Sequence, residues 1–241
     1  MKLSRKIKRY ISDWFLPNRC PVCDKLITWD KFVCADCEKE LSEISDSLCP
    51  VCAKKPCADH SKLRFDCAVA LYPFRNKAKE AVYALKYHDG VNIGELCAKG
   101  LANVLRKREL VQQIDIVTCV PMSRDRLKKR RRNHSAVIAK ALADELDKPF
   151  DAKLLVHLPG DVLQHHLKAG ERAENASKVF KAGAQHRDIK GLTVLICDDV
   201  YTTGATLNSC SALLRTMGAE RVIAACAAVT LRDEAENKDG A

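Results

Sequence analysis

The feature that most constrains the fold of this chain is the crowding of its cysteines, since eight of the 13 lie within the first 67 residues. Six of the eight form three CxxC pairs, and a cysteine and a histidine follow the third pair. In a reducing compartment such pairs are more often metal ligands than disulfides, because a CxxC turn presents two thiolates at the separation that tetrahedral Zn²⁺ requires. The sequence therefore predicts a small metal-stabilised module here.

The spacing divides these residues into two predicted zinc sites. The first is a ribbon-like Cys₄ set made of Cys20, Cys23, Cys34 and Cys37. The second is a tighter Cys₃His set made of Cys49, Cys52, Cys57 and His60. Sets of four leave no open coordination position, which indicates one or two structural ions rather than a catalytic metal. A redox or packing role is the alternative, disfavoured because a segment with so few large apolar residues can hardly fold without a metal.

The remaining sequence alternates continuous apolar segments with helical patterns. Strands are predicted at 65–74, 114–122, 154–158, 192–200 and 221–230, and helices at 77–88, 94–110, 133–147 and 206–217. Apolar strands joined by helices are typical of a parallel sheet covered by helices on both faces. We expect four parts: a basic amphipathic helix at 1–17, a zinc-ribbon-like module at 18–62, an α/β domain at 63–232 and a polar tail at 233–241.

The formal net charge of +10 is densest at residues 2–9 and 124–132, and it predicts an anionic partner. Nucleic acid, a phosphorylated small molecule and a membrane surface touching residues 1–15 are the candidates. Aromatic residues make up only 5% of the chain, so a stacking platform for single-stranded DNA is not evident. No apolar run is long enough to span a membrane and no signal peptide is evident, which favours a cytoplasmic protein, with the inner membrane face as an alternative place.

The stretch VLICDDVYTTGATLNSC, at residues 194–210, predicts a ligand site. Ligands of parallel sheets bind beyond the carboxyl ends of the strands, where Asp198 and Asp199 are expected to lie. Five small or hydroxylated residues follow as a tight loop that opens a helix: Thr202, Thr203, Gly204, Ala205 and Thr206. The unpaired N–H groups and the dipole of a helix start favour a phosphate, and the acids would face hydroxyl groups attached to it. A sugar phosphate fits; incidental acids beside a capped helix are the alternative.

This stretch resembles the phosphoribosyl pyrophosphate (PRPP) motif of type I phosphoribosyltransferases. Over about residues 16–230 the chain also resembles the ComF family of competence-associated, phosphoribosyltransferase-like proteins, which join an N-terminal zinc module to this domain. LKYHDG at 85–90 is similar to the family's LKYHGD, and Val120 and Pro121 begin its pyrophosphate-loop region. Five further residues match a spaced family pattern: Gln164, Leu167, Arg172, Asn175 and Phe180. Where the family reads RGFNQ, this chain has RRRNH at 130–134.

The resemblance implies a type I phosphoribosyltransferase fold and a set of site residues. The implied catalytic residues are Asp198, Asp199 and Lys86, the last beside His88. The implied PRPP-binding residues are Thr202, Thr203, Gly204, Ala205, Thr206, Ser123, Arg124 and Arg130. PRPP would enter with Mg²⁺, and its phosphoribose would pass to an unidentified acceptor with release of pyrophosphate. Positioning and charge stabilisation would support this transfer without a protein nucleophile.

Two rival functions remain open. The family's association with DNA uptake supports a non-enzymatic competence or recombination factor, in which the zinc module and the basic segment 124–132 bind single-stranded DNA. A regulator that senses PRPP is the other rival. The basic segment holds seven basic residues and one acid, and it fits pyrophosphate, a nucleic acid backbone or plain solvation.

Overall fold

The computed structural model describes residues 17–41, 47–54, 57, 59–87, 91–159, 179–184 and 186–231. Several sequence predictions lie outside these residues: the basic helix before Pro17, the membrane contact at 1–15, the tail at 233–241, and the family matches at His88, Gln164, Leu167, Arg172 and Asn175. No helix in the described part of the chain combines the length and the apolar character that a bilayer crossing requires.

A four-stranded parallel sheet forms the centre of the structure, with the strand order β1-β6-β5-β2. Its strands are β1 (Cys67–Pro73), β2 (Ile116–Cys119), β5 (Thr193–Tyr201) and β6 (Arg221–Val229). In the register of the sheet, Cys197 of β5 lies between Cys119 of β2 and Ala225 of β6. Every residue of β1 is buried, which explains why its sequence is continuously apolar rather than alternating.

A second, two-stranded antiparallel sheet pairs β3 (Leu155–His157) with β4 (Phe180–Ala182). The strand predicted at 154–158 is therefore present, but it does not join the parallel sheet. Only the first of its three strand residues is buried, so β3 lacks the two covered faces that a central parallel strand needs.

Six α-helices surround the strands in the described part of the chain. They are α1 (Ala35–Glu40), α2 (Asn76–Tyr87), α3 (Val91–Lys107), α4 (Arg124–Arg130), α5 (His134–Leu146) and α6 (Ala205–Thr216). Helices α2, α3 and α5 share one core cluster with Val69 and Leu71 of β1. Helix α6 shares the opposite cluster with Ala68 and Ala70 of the same strand. Alternate side chains of β1 thus face two helical layers, which confirms helices on both faces of the sheet.

The cysteine-rich segment straddles the β1 edge of the sheet. Cys20, Val33 and Cys37 pack in the core cluster of α2, α3 and α5. Leu48 and Ala53 pack instead in the cluster of α6. The backbone N–H of Ala68 in β1 donates to the carbonyl of Val51 at 2.9 Å, so the segment also occupies part of the free edge of β1.

Candidate functional site

Asp198 and Asp199 lie near the end of β5, at the carboxyl edge of the parallel sheet. Ser135, in the first turn of α5, donates its hydroxyl to Oδ1 of Asp198 at 2.9 Å, and the N–H of Asp199 donates to the same oxygen at 2.8 Å. Burial, with the charge of Asp199 as the second cause, raises the pKa of Asp198 to about 7. Asp198 therefore holds its proton more tightly than an ordinary aspartate.

Asp199 forms an ion pair with Lys86, near the end of α2. The Lys86 Nζ to Asp199 Oδ2 distance is 2.9 Å, and each side chain is only 17% exposed. An ion pair this sheltered is screened less by solvent than a surface pair. The structure thus brings Lys86 to Asp198 and Asp199, which lie more than a hundred residues later in the chain.

Loop 202–206 turns from the end of β5 into α6 through a glycine that no other residue can replace without strain. Gly204 has φ 87° and is the N-cap residue of α6. A Cβ atom there would lie 2.7 Å from Cε2 of Tyr201, which is itself buried. The Thr203 hydroxyl accepts from the N–H of Ala205 at 3.3 Å. The loop and Asp198 line a shallow recess at the start of α6, made of Asp198, Val200, Tyr201, Thr202, Thr203, Gly204, Ala205, Thr206 and Leu207.

The predicted pyrophosphate residues belong to the neighbouring strand and its helix. Ser123 follows β2 and caps α4, since its hydroxyl accepts from the N–H of Arg126 at 3.4 Å. Because parallel strands end at the same edge of a sheet, Ser123 and Arg124 lie on the same side of the sheet as the acids. Arg130 ends α4 with its guanidinium 5.7 Å from the ring centroid of Tyr87, next to Lys86 in α2.

The segment 130–134, where this chain departs from the family's RGFNQ, contains a residue with left-handed backbone. Arg131, which stands where the family has glycine, adopts the left-handed conformation with φ 61°. Asn133, which matches the family, caps α5 through its side-chain oxygen and donates its Nδ2 to the carbonyl of Val120 at 2.9 Å. The turn therefore keeps a glycine-type backbone although its glycine is gone.

Sequence reasoning missed Ser135 and His134. Ser135 holds Asp198, yet in the sequence it is an ordinary residue of a helix start. His134 is 1% exposed, and neither ring nitrogen has a hydrogen-bond partner. Burial lowers the pKa of His134, although the nearby Asp199 opposes that shift. In the sequence only the family's RGFNQ motif marks this turn, and that motif ends at the position of His134.

The predicted metal ligands come together in two groups. One contains Cys20, Cys23, Cys34 and Cys37, and the other contains Cys49, Cys52, Cys57 and His60. The ligand atoms of each group lie within 4.8 Å of one another. Four sulfur or imidazole donors at such spacing fit tetrahedral zinc.

Backbone N–H groups lower the pKa of two of these thiols, Cys20 and Cys49. Burial acts to raise the pKa of Cys49, but the N–H groups of Cys52 and Val51 outweigh it and lower this pKa to about 6. The same balance, with donors from Cys34 and Val22, lowers the pKa of Cys20 to about 7. In each group backbone donors therefore favour the thiolate form of one cysteine, the form that ligates zinc.

Two protein families match parts of this chain. Residues 132–240 match the phosphoribosyl transferase domain, and residues 11–68 match the double zinc ribbon domain. The chain is thus a phosphoribosyltransferase-fold protein that carries an N-terminal double zinc ribbon, and its cysteine groups support structural zinc.

Two relatives match most of this chain and most of their own length. The DNA utilization protein YhgH of Salmonella typhimurium is 27% identical over 225 residues, which cover 92% of this chain and 93% of that protein. The competence protein ComFC of Bacillus subtilis is 26% identical over 216 residues, covering 78% of this chain and 85% of that protein. A solved purine phosphoribosyltransferase from Pyrococcus horikoshii is 22% identical, covers 55% of this chain and 70% of its own, and has a TM-score of 0.36. Over most of its length the chain is thus similar to proteins named for competence and for DNA utilization.

Proposed function

We propose that this site binds Mg²⁺-bound PRPP and transfers its phosphoribose to an acceptor, releasing pyrophosphate. The observation that carries the proposal is the shared recess of Asp198 and loop 202–206 at the start of α6. A helix start offers unpaired N–H groups to a phosphate, and carboxylates just before it are placed to accept hydrogen bonds from ribose hydroxyls.

Each predicted site residue has a role in this proposal. Thr202, Thr203, Gly204, Ala205 and Thr206 surround the 5-phosphate, Asp198 and Asp199 take the ribose hydroxyls, and Ser123, Arg124 and Arg130 face the pyrophosphate. Lys86 now neutralises Asp199 at 2.9 Å. A polyanionic ligand would compete for this lysine and release the carboxylate of Asp199 toward a hydroxyl group.

The chemistry needs charge placement rather than a protein nucleophile. Loss of pyrophosphate leaves positive charge on the ribose ring, which nearby carboxylates stabilise, while cationic side chains stabilise the leaving group. Mg²⁺, arriving with PRPP, would neutralise part of the pyrophosphate charge. The chain's own contribution is to hold the ribose and phosphate ends of the substrate in fixed positions.

The test is calorimetric titration with PRPP in the presence of Mg²⁺. We expect the double variant Asp198→Asn, Asp199→Asn to bind about 30-fold more weakly than wild type, because two charge-assisted hydrogen bonds become neutral ones. Asp36→Asn, Asp144→Asn is the matched control, since these acids pair with Lys25 and Lys140 at the surface. Equal affinities for wild type and both variants, or no binding by wild type at millimolar PRPP, would refute the proposal.

A second candidate function, binding of single-stranded DNA, is favoured by an aromatic pair on α2. Tyr83 and Tyr87 are 49% and 63% exposed, and their rings stack with centroids 6.1 Å apart and planes 16° from parallel. The overall aromatic content does not reveal this pair. The two rings come together because residues four apart lie on the same face of a helix. Arg130 lies against Tyr87, and all of α4 is at least partly exposed. Exposed rings beside cations are typical of surfaces that stack unpaired bases.

Fluorescence anisotropy with a labelled single-stranded oligonucleotide tests this second function. We expect Tyr83→Ala, Tyr87→Ala to weaken binding about tenfold, because base stacking on such rings is worth roughly 1–3 kcal/mol. Leu26→Ala, at another exposed apolar residue, should leave the affinity unchanged. An Asp199→Asn variant that loses DNA affinity, or a tyrosine variant that keeps it, would contradict a separate DNA surface.

A further inference from the structure

The two metal groups have nearly identical turns but different neighbours. In the first turn the N–H of Cys20 donates to the carbonyl of Lys25 at 2.8 Å, and in the second the N–H of Cys49 donates to the carbonyl of Lys54 at 3.4 Å. The residue before each lysine has positive φ, 62° in one turn and 50° in the other. Each CxxC turn therefore presents a lysine two residues after its second cysteine, in the same backbone setting.

The side chains of these two lysines have separate tasks. Lys25 pairs with Asp36 at 2.6 Å, within the first half of the cysteine-rich segment. Lys54 instead reaches the α/β domain, where its Nζ donates to the carbonyl of Thr202 and lies 3.5 Å from the carbonyl of Thr230. Its ammonium also lies 4.6 Å from the ring centroid of Tyr201. Lys54 thus joins the second metal group to the ends of β5 and β6.

The contact with Thr202 orients the loop. In a planar trans peptide the carbonyl and the following N–H point in opposite directions. Holding the Thr202 carbonyl toward Lys54 therefore turns the N–H of Thr203 away from Lys54. A charged donor makes a stronger hydrogen bond than a neutral one, so this peptide is held firmly.

A second link joins the other side of the metal group to the first turn of α6. Asn208 accepts from the N–H of Arg64 at 3.0 Å and donates to the carbonyl of Lys62 at 3.3 Å. Lys62 lies two residues after His60, the last member of the group. The second metal group is therefore connected to loop 202–206 through Lys54 and to α6 through Lys62 and Arg64.

We propose that Lys54 is a positioning residue, through which the second metal group sets the conformation of loop 202–206 and thereby the affinity for the phosphate of PRPP. This inference rests on the proposed function for its ligand. The first metal group does not position the loop in this way, because its corresponding lysine, Lys25, pairs with Asp36.

Peptide-level hydrogen exchange tests the positioning without any ligand. Lys54→Met should speed exchange of the amides at 203–206 about tenfold, since one charge-assisted hydrogen bond to the loop is lost. Lys25→Met, the matched change in the first turn, should leave that exchange within about twofold of wild type. Metal content, measured for every variant, should equal that of wild type, because neither lysine is a ligand.

Calorimetry then measures how much the contact between Lys54 and the loop contributes to the affinity for PRPP. We expect Lys54→Met to weaken Mg-PRPP binding about tenfold and Lys54→Arg to restore most of it, because arginine keeps a donor and a charge. Unchanged loop exchange in Lys54→Met, or equal effects of Lys54→Met and Lys25→Met, would overturn the inference. Failure of wild type to bind PRPP would refute the proposed function instead, and the exchange comparison would still decide the role of Lys54.

Discussion

Replacing Cys37 with serine is expected to lower the free energy of unfolding by at least about 3 kcal/mol and to remove one metal ion per chain. Cys37 is 2% exposed and belongs to both the first metal group and the main core cluster. Serine is a poor zinc ligand, so the variant loses the site and with it the order of the surrounding loops. Metal analysis and urea denaturation followed by circular dichroism measure the two effects.

The control for Cys37→Ser is Cys97→Ser in α3. Cys97 is equally buried, at 3% exposed, but lies outside both metal groups. Burying a hydroxyl there should cost about 1–2 kcal/mol and leave the metal content unchanged. If both variants lost the same stability and neither lost metal, the first group would not be a zinc site.

Gly204→Ala is expected to cost about 3 kcal/mol of stability and to abolish detectable PRPP binding. The left-handed φ of 87° is unfavourable for alanine, and the added methyl would lie 2.7 Å from the Tyr201 ring. Because the Tyr201 side chain is buried and its ring packs edge-on against Phe65, it has little room to withdraw, so the loop must move. Thermal unfolding and PRPP calorimetry report the two consequences.

Gly191→Ala is the control that separates the cost of left-handed backbone from the cost of a clash with the Tyr201 ring. Gly191 has φ 73°, similar to Gly204, but an added Cβ there would meet no atom within 4 Å. We expect a cost of about 1 kcal/mol with unchanged PRPP binding. Similar losses in the two variants would mean that Tyr201 does not constrain the loop.

Features encoded over short distances in the chain could be predicted from the sequence. The two cysteine groups follow from CxxC spacing, since a turn brings its own ligands together. The apolar run before Asp198 and the small residues after it likewise predict a strand, a loop and a helix start, and the structure has all three. Their assignment to a sugar phosphate remains a proposal.

Contacts between distant segments could not be predicted in this way. Lys54 and Thr202 are 148 residues apart, and Ser135 and Asp198 are 63 apart. No local pattern distinguishes Lys54 from Lys25, because their turns have the same sequence spacing. The stacked pair of Tyr83 and Tyr87 could not be predicted for a related reason: overall aromatic content says nothing about two rings that share a helix face.

The position of β1 at the sheet edge has a consequence for how the chain folds during synthesis. Among the strands in the described part of the chain its neighbour in the sheet is β6, and the contact between Asp66 and Val222 spans 156 residues. A ribosome must therefore make almost the whole α/β domain before β1 can find its partner, and long-range pairing of this kind is slow. The ribbons, whose ligands all lie before β1, can capture metal while translation continues. They would then shield a nascent, fully apolar strand from aggregation until the last strand emerges.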